Sequence, residues 1–376
     1  MNQQSINRNL GIDFVRGMSI LFVVLLHLNL RLKLEESIFI EVLPKKLFKA
    51  IFWSGFDGVV IFFTLSGFLI TSTIFKRWQN LSTINLKEFY WLRFSRIIPT
   101  LVLLLSVLSI FHMMNIDGFT IDKEKTTLIQ VVFSALTFHL NLLELKVGFL
   151  PGPWDVLWTI SIEEVFYIVL PIVCLFIRNK WILLTLFISA LILSPYSRVN
   201  FLSESNLVDK NNLNYLDSIA MGVFTAFLVK NFNFSKKVKT ISGVLGGLLI
   251  FIVIFFRGKL YKYGITDLGL DLSILSTGVG LLVFWMNYHF ENKNKVYFPL
   301  NLICNMGKYS YEIYLTHMII VVFASKIFLS NNLSNNTKPI IVVLSLILCW
   351  ILGKLVFDYY SNPINQKLRN WAKSKF

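Results

Sequence analysis

Ten apolar runs, distributed through nearly the whole of a 376-residue chain, point to a helical membrane protein. They lie at about 12–30, 51–75, 97–114, 157–177, 181–196, 214–229, 240–256, 268–288, 309–328 and 339–358. A hydrocarbon core of about 30 Å takes roughly 20 residues of helix to cross, close to the length of most of these runs. Hydrophobic residues make up 55% of the chain, with 35 phenylalanines. That is more apolar surface than one soluble core of this length takes up, so the lipid bilayer is the expected surrounding. The predicted fold is an all-α integral membrane protein of about ten transmembrane helices. One membrane domain fills residues 1–376, with a basic tail over about 360–376 and no appended soluble domain. The tail, NQKLRNWAKSKF, is basic and aromatic and suits an interfacial anchor.

A net charge of +15 would suggest a nucleic-acid partner in a soluble protein. Here the lysines and arginines cluster in short segments between apolar runs, the positive-inside pattern, and no nucleic-acid partner is expected. With the N-terminus cytoplasmic, the clusters Lys76–Arg77, Lys87–Arg96, Arg178–Lys180, Lys230–Lys239, Lys293–Lys308 and Lys367–Lys375 all fall inside, as do both termini. A further segment, about 126–145, is apolar but contains His139 and Asn141. Counting it as a span would move Lys230–Lys239 outside, so it reads as a re-entrant or interfacial element. The external loop 31–50 is the exception, because Arg31, Lys33, Lys45, Lys46 and Lys49 are only partly balanced by Glu35, Glu36 and Glu41. Arg8 before the first run resembles a signal peptide, but Asp13 and Arg16 interrupt the run and no small-residue cleavage pattern follows His27. A retained helix is expected.

Several polar residues inside the runs carry chemical information. Arg16 and His27 stand eleven positions apart, about 16 Å along a helix. An arginine near one surface therefore places the histidine near mid-bilayer, where ionisable groups are costly and usually functional. Singly, Arg16 also reads as a snorkelling helix-end residue and His27 as a histidine bonded to a neighbouring helix. Arg93 and Arg96 share one helical face; they suit plain topology or bidentate contacts to phosphate. Glu163 and Glu164 point about 100° apart around a helix. Ser161 and Glu164 have capping-box spacing, whereas Glu163 shares a face with Tyr167. Ser66 and Gly67 permit close approach of a helix or ligand arm. Tyr314 and His317 share a face and suit aromatic packing or a site wall. Cys174, Cys304 and Cys349 stand apart, His112, His139 and His289 match no pattern, and no HExxH, GxSxG or glycine-rich phosphate loop occurs. No metal is expected.

Five segments together resemble acyltransferase family 3, the integral membrane acyltransferases that include bacterial polysaccharide O-acetylases. They are DFVRG…H from Asp13 to His27, FFTLSGF from Phe62, RFSRIIP from Arg93, WTISIEEVFY from Trp158 and YSYEIYLTH from Tyr309. The resemblance implies a bacterial inner-membrane enzyme that moves an acyl group, usually acetyl, from cytoplasmic acyl-CoA to a sugar hydroxyl at the far face. It implies that His27 is catalytic, that Glu163, the motif acid, is catalytic with it, that Arg16 contacts the anionic donor and that Arg93 and Arg96 clamp CoA. Asp13, Ser66, Gly67, Tyr167, Tyr314 and His317 fall in the same segments as substrate contacts or active-site wall. Family members commonly carry an acid where this chain has Val60; Asp57, one turn earlier, is the candidate replacement. The acceptor implied is a surface polysaccharide or its lipid-linked precursor, reached directly or through a separate extracytoplasmic transferase. Acylation of a small hydroxylated metabolite such as a macrolide sugar is the rival reading. A transporter or flippase is the rival of another class, although no inverted repeat is visible.

Overall fold

A computed structural model describes residues 9–176, 180–200, 207–290 and 300–373, and these residues contain helices and no strand. Arg8, Arg178, Lys293, Lys295 and Lys375, used above to orient the chain, lie outside the described residues. Ten long helices coincide with the ten apolar runs: α1 (Leu10–Leu32), α2 (Gly55–Trp78), α3 (Leu86–Met113), α4 (Trp158–Phe176), α5 (Lys180–Asn200), α6 (Leu216–Asn231), α7 (Lys236–Lys262), α8 (Asp271–His289), α9 (Ser310–Ser330) and α10 (Lys338–Val356). Among the described residues, eight segments are long and apolar enough to cross a membrane; they contain α1–α4, α6, α7, α9 and α10. The protein is an all-α, multi-pass membrane protein.

Side chains from the flanking polar segments start the helices. The Asn9 side chain accepts the Gly11 and Ile12 amides at the head of α1, and Asn85 accepts the Glu88 amide at the head of α3. These satisfy amides that the helix itself leaves unbonded. The segment about 126–145 forms two short helices, Leu128–Leu136 and Leu140–Val147, separated by Phe138 in the left-handed region at φ 59°. Nine residues of helix reach only about 14 Å, so neither can span, in keeping with an interfacial element.

Close backbone contacts hold the bundle together. Gly67 of α2 lies against the Ile219 carbonyl of α6, and Gly222 of α6 lies reciprocally against the Thr64 carbonyl of α2. Two further contacts involve a helix over Leu300–Lys308, which the charge pattern placed in a loop. Gly17 of α1 meets the Ile303 carbonyl, and Gly307 meets the Asp13 carbonyl. A Cβ at any of these glycines would collide with backbone, which is how small residues let membrane helices approach.

The C-terminal tail is a helix docked on the bundle. A π-helical turn, Phe357–Ser361, leads from α10 into a helix over Asn362–Lys373 that packs on α3. Trp91 Nε1 donates to the Leu368 carbonyl at 2.9 Å, the Trp91 and Trp371 rings lie 4.8 Å apart, and Ser95 Oγ donates to Asn365 Oδ1 at 3.1 Å. The aromatic and polar residues that suit an interface are here bonded to α3.

Candidate active site

Two adjoining cavities lie between α1, α2, α3, α4, α9 and the C-terminal helix. The larger, about 260 Å³, is walled by Arg16, Ser66, Arg93, Arg96, Glu163, Glu164, Tyr167 and Arg369 among others. The smaller, about 100 Å³, is reached past Arg16, Phe62, Ile160, Glu163 and Tyr311, which line both, and is closed by Thr159, Ser310 and Tyr314. Guanidinium groups gather in the larger cavity, and Glu163 stands where the two meet.

The Glu163 carboxylate accepts hydrogen bonds from the hydroxyls of Ser66 and Tyr167, one from α2 and one from its own helix. The two hydroxyls also touch each other. Tyr167 carries the Arg93 guanidinium over its ring at 3.6 Å, and Arg93 Nη2 reaches to 3.8 Å from Glu164 Oε1. Cation, ring and carboxylates form one connected wall. The capping reading of Glu164 therefore does not hold. Ser161 is the fourth residue of α4 and its hydroxyl accepts the Leu140 amide at 3.2 Å, while Glu164 faces Arg93.

Arg96 is anchored differently. Its Nη1 and Nη2 donate to the two oxygens of Glu312 at 2.7 and 3.4 Å, and Nη1 also donates to Ser361 Oγ at 3.0 Å. Ser361 Oγ in turn donates to Glu312 Oε1 at 2.6 Å. Glu312 is completely buried. It stands inside the YSYEIYLTH segment, and the signal for it was simply a carboxylate in a membrane helix, which requires a cation. The π-helical turn supplies Ser361, in line with the frequency of such turns at functional sites.

His317 stands beside Tyr314 and His27 beside His317, and neither histidine lines either cavity. His27 Nδ1 is 2.8 Å from the Val23 carbonyl, and His317 Nδ1 is 2.6 Å from the Tyr314 carbonyl. A carbonyl only accepts, so each neutral ring carries its proton on Nδ1 and keeps a lone pair on Nε2. His317 Nε2 lies 3.4 Å from His27 Nδ1, which gives the His27 proton a second acceptor. The Tyr314 ring is 5.6 Å from that of His317, and its hydroxyl donates to the Val156 carbonyl at 2.9 Å while accepting from Thr159 at 2.7 Å. Thus Tyr314 connects the histidine pair to the smaller cavity.

Three candidate wall residues lie elsewhere. Asp57 is buried and ion-paired with the partly exposed Arg257 of α7, next to the break in that helix at Phe256, so it answers that cation and not the cavity. Gly67 serves the α2–α6 crossing, and Asp13 lies in the first turn of α1 where its carbonyl receives Gly307. Beyond the spans, the buried Lys210 ammonium lies between Glu144 Oε2, at 2.8 Å, and Asp155 Oδ1, at 2.6 Å. The charge of Asp155 also reaches His27. Burial, together with the neighbouring Asp155 charge, pushes the Glu144 carboxyl up to about 9. Neither Asp155 nor Lys210 was prominent in the sequence. Among the described residues no group of three or more His, Cys, Asp or Glu side chains is arranged to hold a metal.

Residues 9–354 match the family model described as an acyltransferase domain, a stretch that includes every element of both cavities except the C-terminal helix. The chain belongs to this acyltransferase family. Relatives of the acyltransferase include the O-acetyltransferase OatA of Staphylococcus aureus strains NCTC 8325 / PS 47 and MRSA252, each 23% identical over 373 residues, covering 95% of this chain and 57% of the relative. The chain thus spans a little over half the length of these curated relatives. No solved structure matches.

Proposed function

We propose that the acyltransferase is an O-acetyltransferase of the bacterial cytoplasmic membrane. It takes an acyl group from acyl-CoA, most simply acetyl-CoA, on the cytoplasmic face and transfers it to a hydroxyl of a cell-surface carbohydrate or its lipid-linked precursor. Both termini are cytoplasmic in this reading. The observation that carries it is the paired cavity, with guanidiniums in one part and, beyond Glu163, a narrower part closed by Tyr314, whose ring neighbours His317, the partner of His27. Phosphates suit the first part, because arginine binds them with a fixed fork of donors. A thin thioester arm suits the second.

The acceptor oxygen attacks the thioester carbonyl, a C–O bond forms, and the C–S bond breaks to release CoA thiolate. The acceptor proton goes to the His27 Nε2 lone pair and is then available to the thiolate. Val23 and His317 keep Nδ1 as the donor, which holds Nε2 in the basic form. Glu163, held by Ser66 and Tyr167, orients the acyl arm or acceptor at the junction of the cavities. The names of the relatives, O-acetyltransferases, support the reaction class. Mass spectrometry of surface glycans from cells with and without the gene tests the reading. Loss of acetyl esters in the deletion strain and their return with the intact gene are expected, and identical glycans in both strains would overturn it.

A further inference from the structure

Arg369 is the guanidinium of the larger cavity with the fewest protein commitments. Arg96 is bound by Glu312 and Ser361, and Arg93 lies on Tyr167 facing Glu164. Arg369 reaches the same wall from the C-terminal helix, and its Nε is buried without a hydrogen-bond partner. No carboxylate among the described residues forms an ion pair with it. Its strongest charge neighbours are themselves cationic, Arg77, Arg96 and Arg93. A part-buried guanidinium set against like charges is poorly compensated by the protein, and a polyanion would supply both the missing charge and the missing acceptor.

Its position selects which end of an anion it meets. Arg16 lines both cavities, whereas Arg369 lines only the larger one, on the side toward Arg77, an exposed residue at the end of α2. The helix bearing it is fixed by Trp91, Ser95 and the Trp371 ring, so the root of the side chain is held at this wall. We infer that Arg369 reads the terminal phosphate monoester at the nucleotide end of the donor, the 3′-phosphate of CoA, and that the C-terminal helix is therefore a part of the donor site. This rests on acyl-CoA being the donor. With the thioester arm in the smaller cavity, the end of the donor farthest from its reacting carbon lies on the Arg369 side.

The experiment compares CoA with 3′-dephospho-CoA by calorimetry on purified protein in detergent, for the natural chain, Arg369→Gln and Arg369→Lys. The natural chain should prefer CoA. Arg369→Gln should weaken CoA binding about tenfold, the scale of one charge-assisted contact, and leave 3′-dephospho-CoA unchanged, so that the preference disappears. Arg369→Lys should retain part of it, because a charge remains without the fork. Equal weakening toward both ligands, or CoA binding by Arg369→Gln as tight as the natural chain's, would overturn the assignment. A natural chain that binds neither ligand would instead remove the acyl-CoA reading on which it rests. Unchanged melting temperature in Arg369→Gln separates a lost ligand contact from a displaced helix.

Discussion

The Nε2 atom of His317 stands 3.4 Å from Nδ1 of His27, so the proton on His27 Nδ1 is shared between a side chain and the Val23 carbonyl. In the mechanism proposed above, this relationship casts His27 as the base and His317 as its positioning residue. His27→Ala should reduce acetyl transfer by ~10²–10⁴, the usual contribution of a general base, with the protein still accumulating in the membrane. His317→Ala should lower kcat with little change in donor KM, and His317→Gln, whose amide oxygen can accept the same proton, should recover much of the loss. Steady-state kinetics on the three variants check this. Full activity of His27→Ala removes it from the reaction.

The two adjacent glutamates have separate surroundings and should fail separately. Glu163→Gln should abolish transfer without lowering thermal stability, because its carboxylate is held by two hydroxyls at the junction of the cavities. Glu164→Gln should leave kcat close to normal and raise the donor KM a few-fold, because it faces Arg93 at the arginine-rich wall. Initial rates at varied acetyl-CoA, with melting curves, distinguish the two; the reverse pattern would exchange their roles.

Arg93 and Arg96 should also diverge. Arg96→Gln leaves the carboxylate of Glu312 buried with no cation, and removing one partner of a buried pair costs about 3–5 kcal/mol. A large drop in melting temperature is expected, partly recovered by the double variant Arg96→Gln with Glu312→Gln. Arg93→Lys keeps the charge but gives up the planar stacking on Tyr167. It should fold normally and bind CoA more weakly, as read by calorimetry.

Outside the spans, Glu144 predicts a pH dependence. Its carboxyl is pushed from an ordinary 4.5 up to about 9 by burial and by Asp155, which shares the Lys210 ammonium. Between those values the folded chain holds a proton that the unfolded chain has lost, so this group's contribution to stability falls as pH rises through the window. Melting temperature should decrease from about pH 6 to about pH 8.5, and Glu144→Gln, which mimics the protonated form, should flatten that slope. An identical slope in the variant would show that the pH dependence comes from other groups.

Topology is testable without activity. With both termini cytoplasmic, a reporter fused after Lys239 should behave as cytoplasmic, and a cysteine introduced at Lys146 should react with an impermeant label from outside. An external reporter at Lys239 would invert the map from α4 onward.

The ten helices were legible because a bilayer imposes a run length, and run length is written locally in the sequence. The two short helices at Leu128–Leu136 and Leu140–Val147 were distinguishable from a span only through the charges a hundred residues later. What stayed hidden depends on distance along the chain. Arg96 and Glu312 are 216 residues apart, and Asp57 and Arg257 are 200 apart; nothing local in either pair names its partner. Ser161 and Glu164 mislead for another reason, since a capping box exists only at a helix start, and α4 begins three residues before Ser161. The docking of the tail on α3 was not legible, because a basic, aromatic amphipathic helix has the same pattern with or without that contact.

The reciprocal contact of Gly67 and Gly222 sets a limit on how this enzyme can work. Ser66, which grips Glu163, is the residue next to that crossing, and neither backbone can move closer to the other. The Glu163 carboxylate is thus surveyed from a fixed datum on that side. α2 cannot back away from the larger cavity into α6, so any widening of that cavity has to come from its other walls.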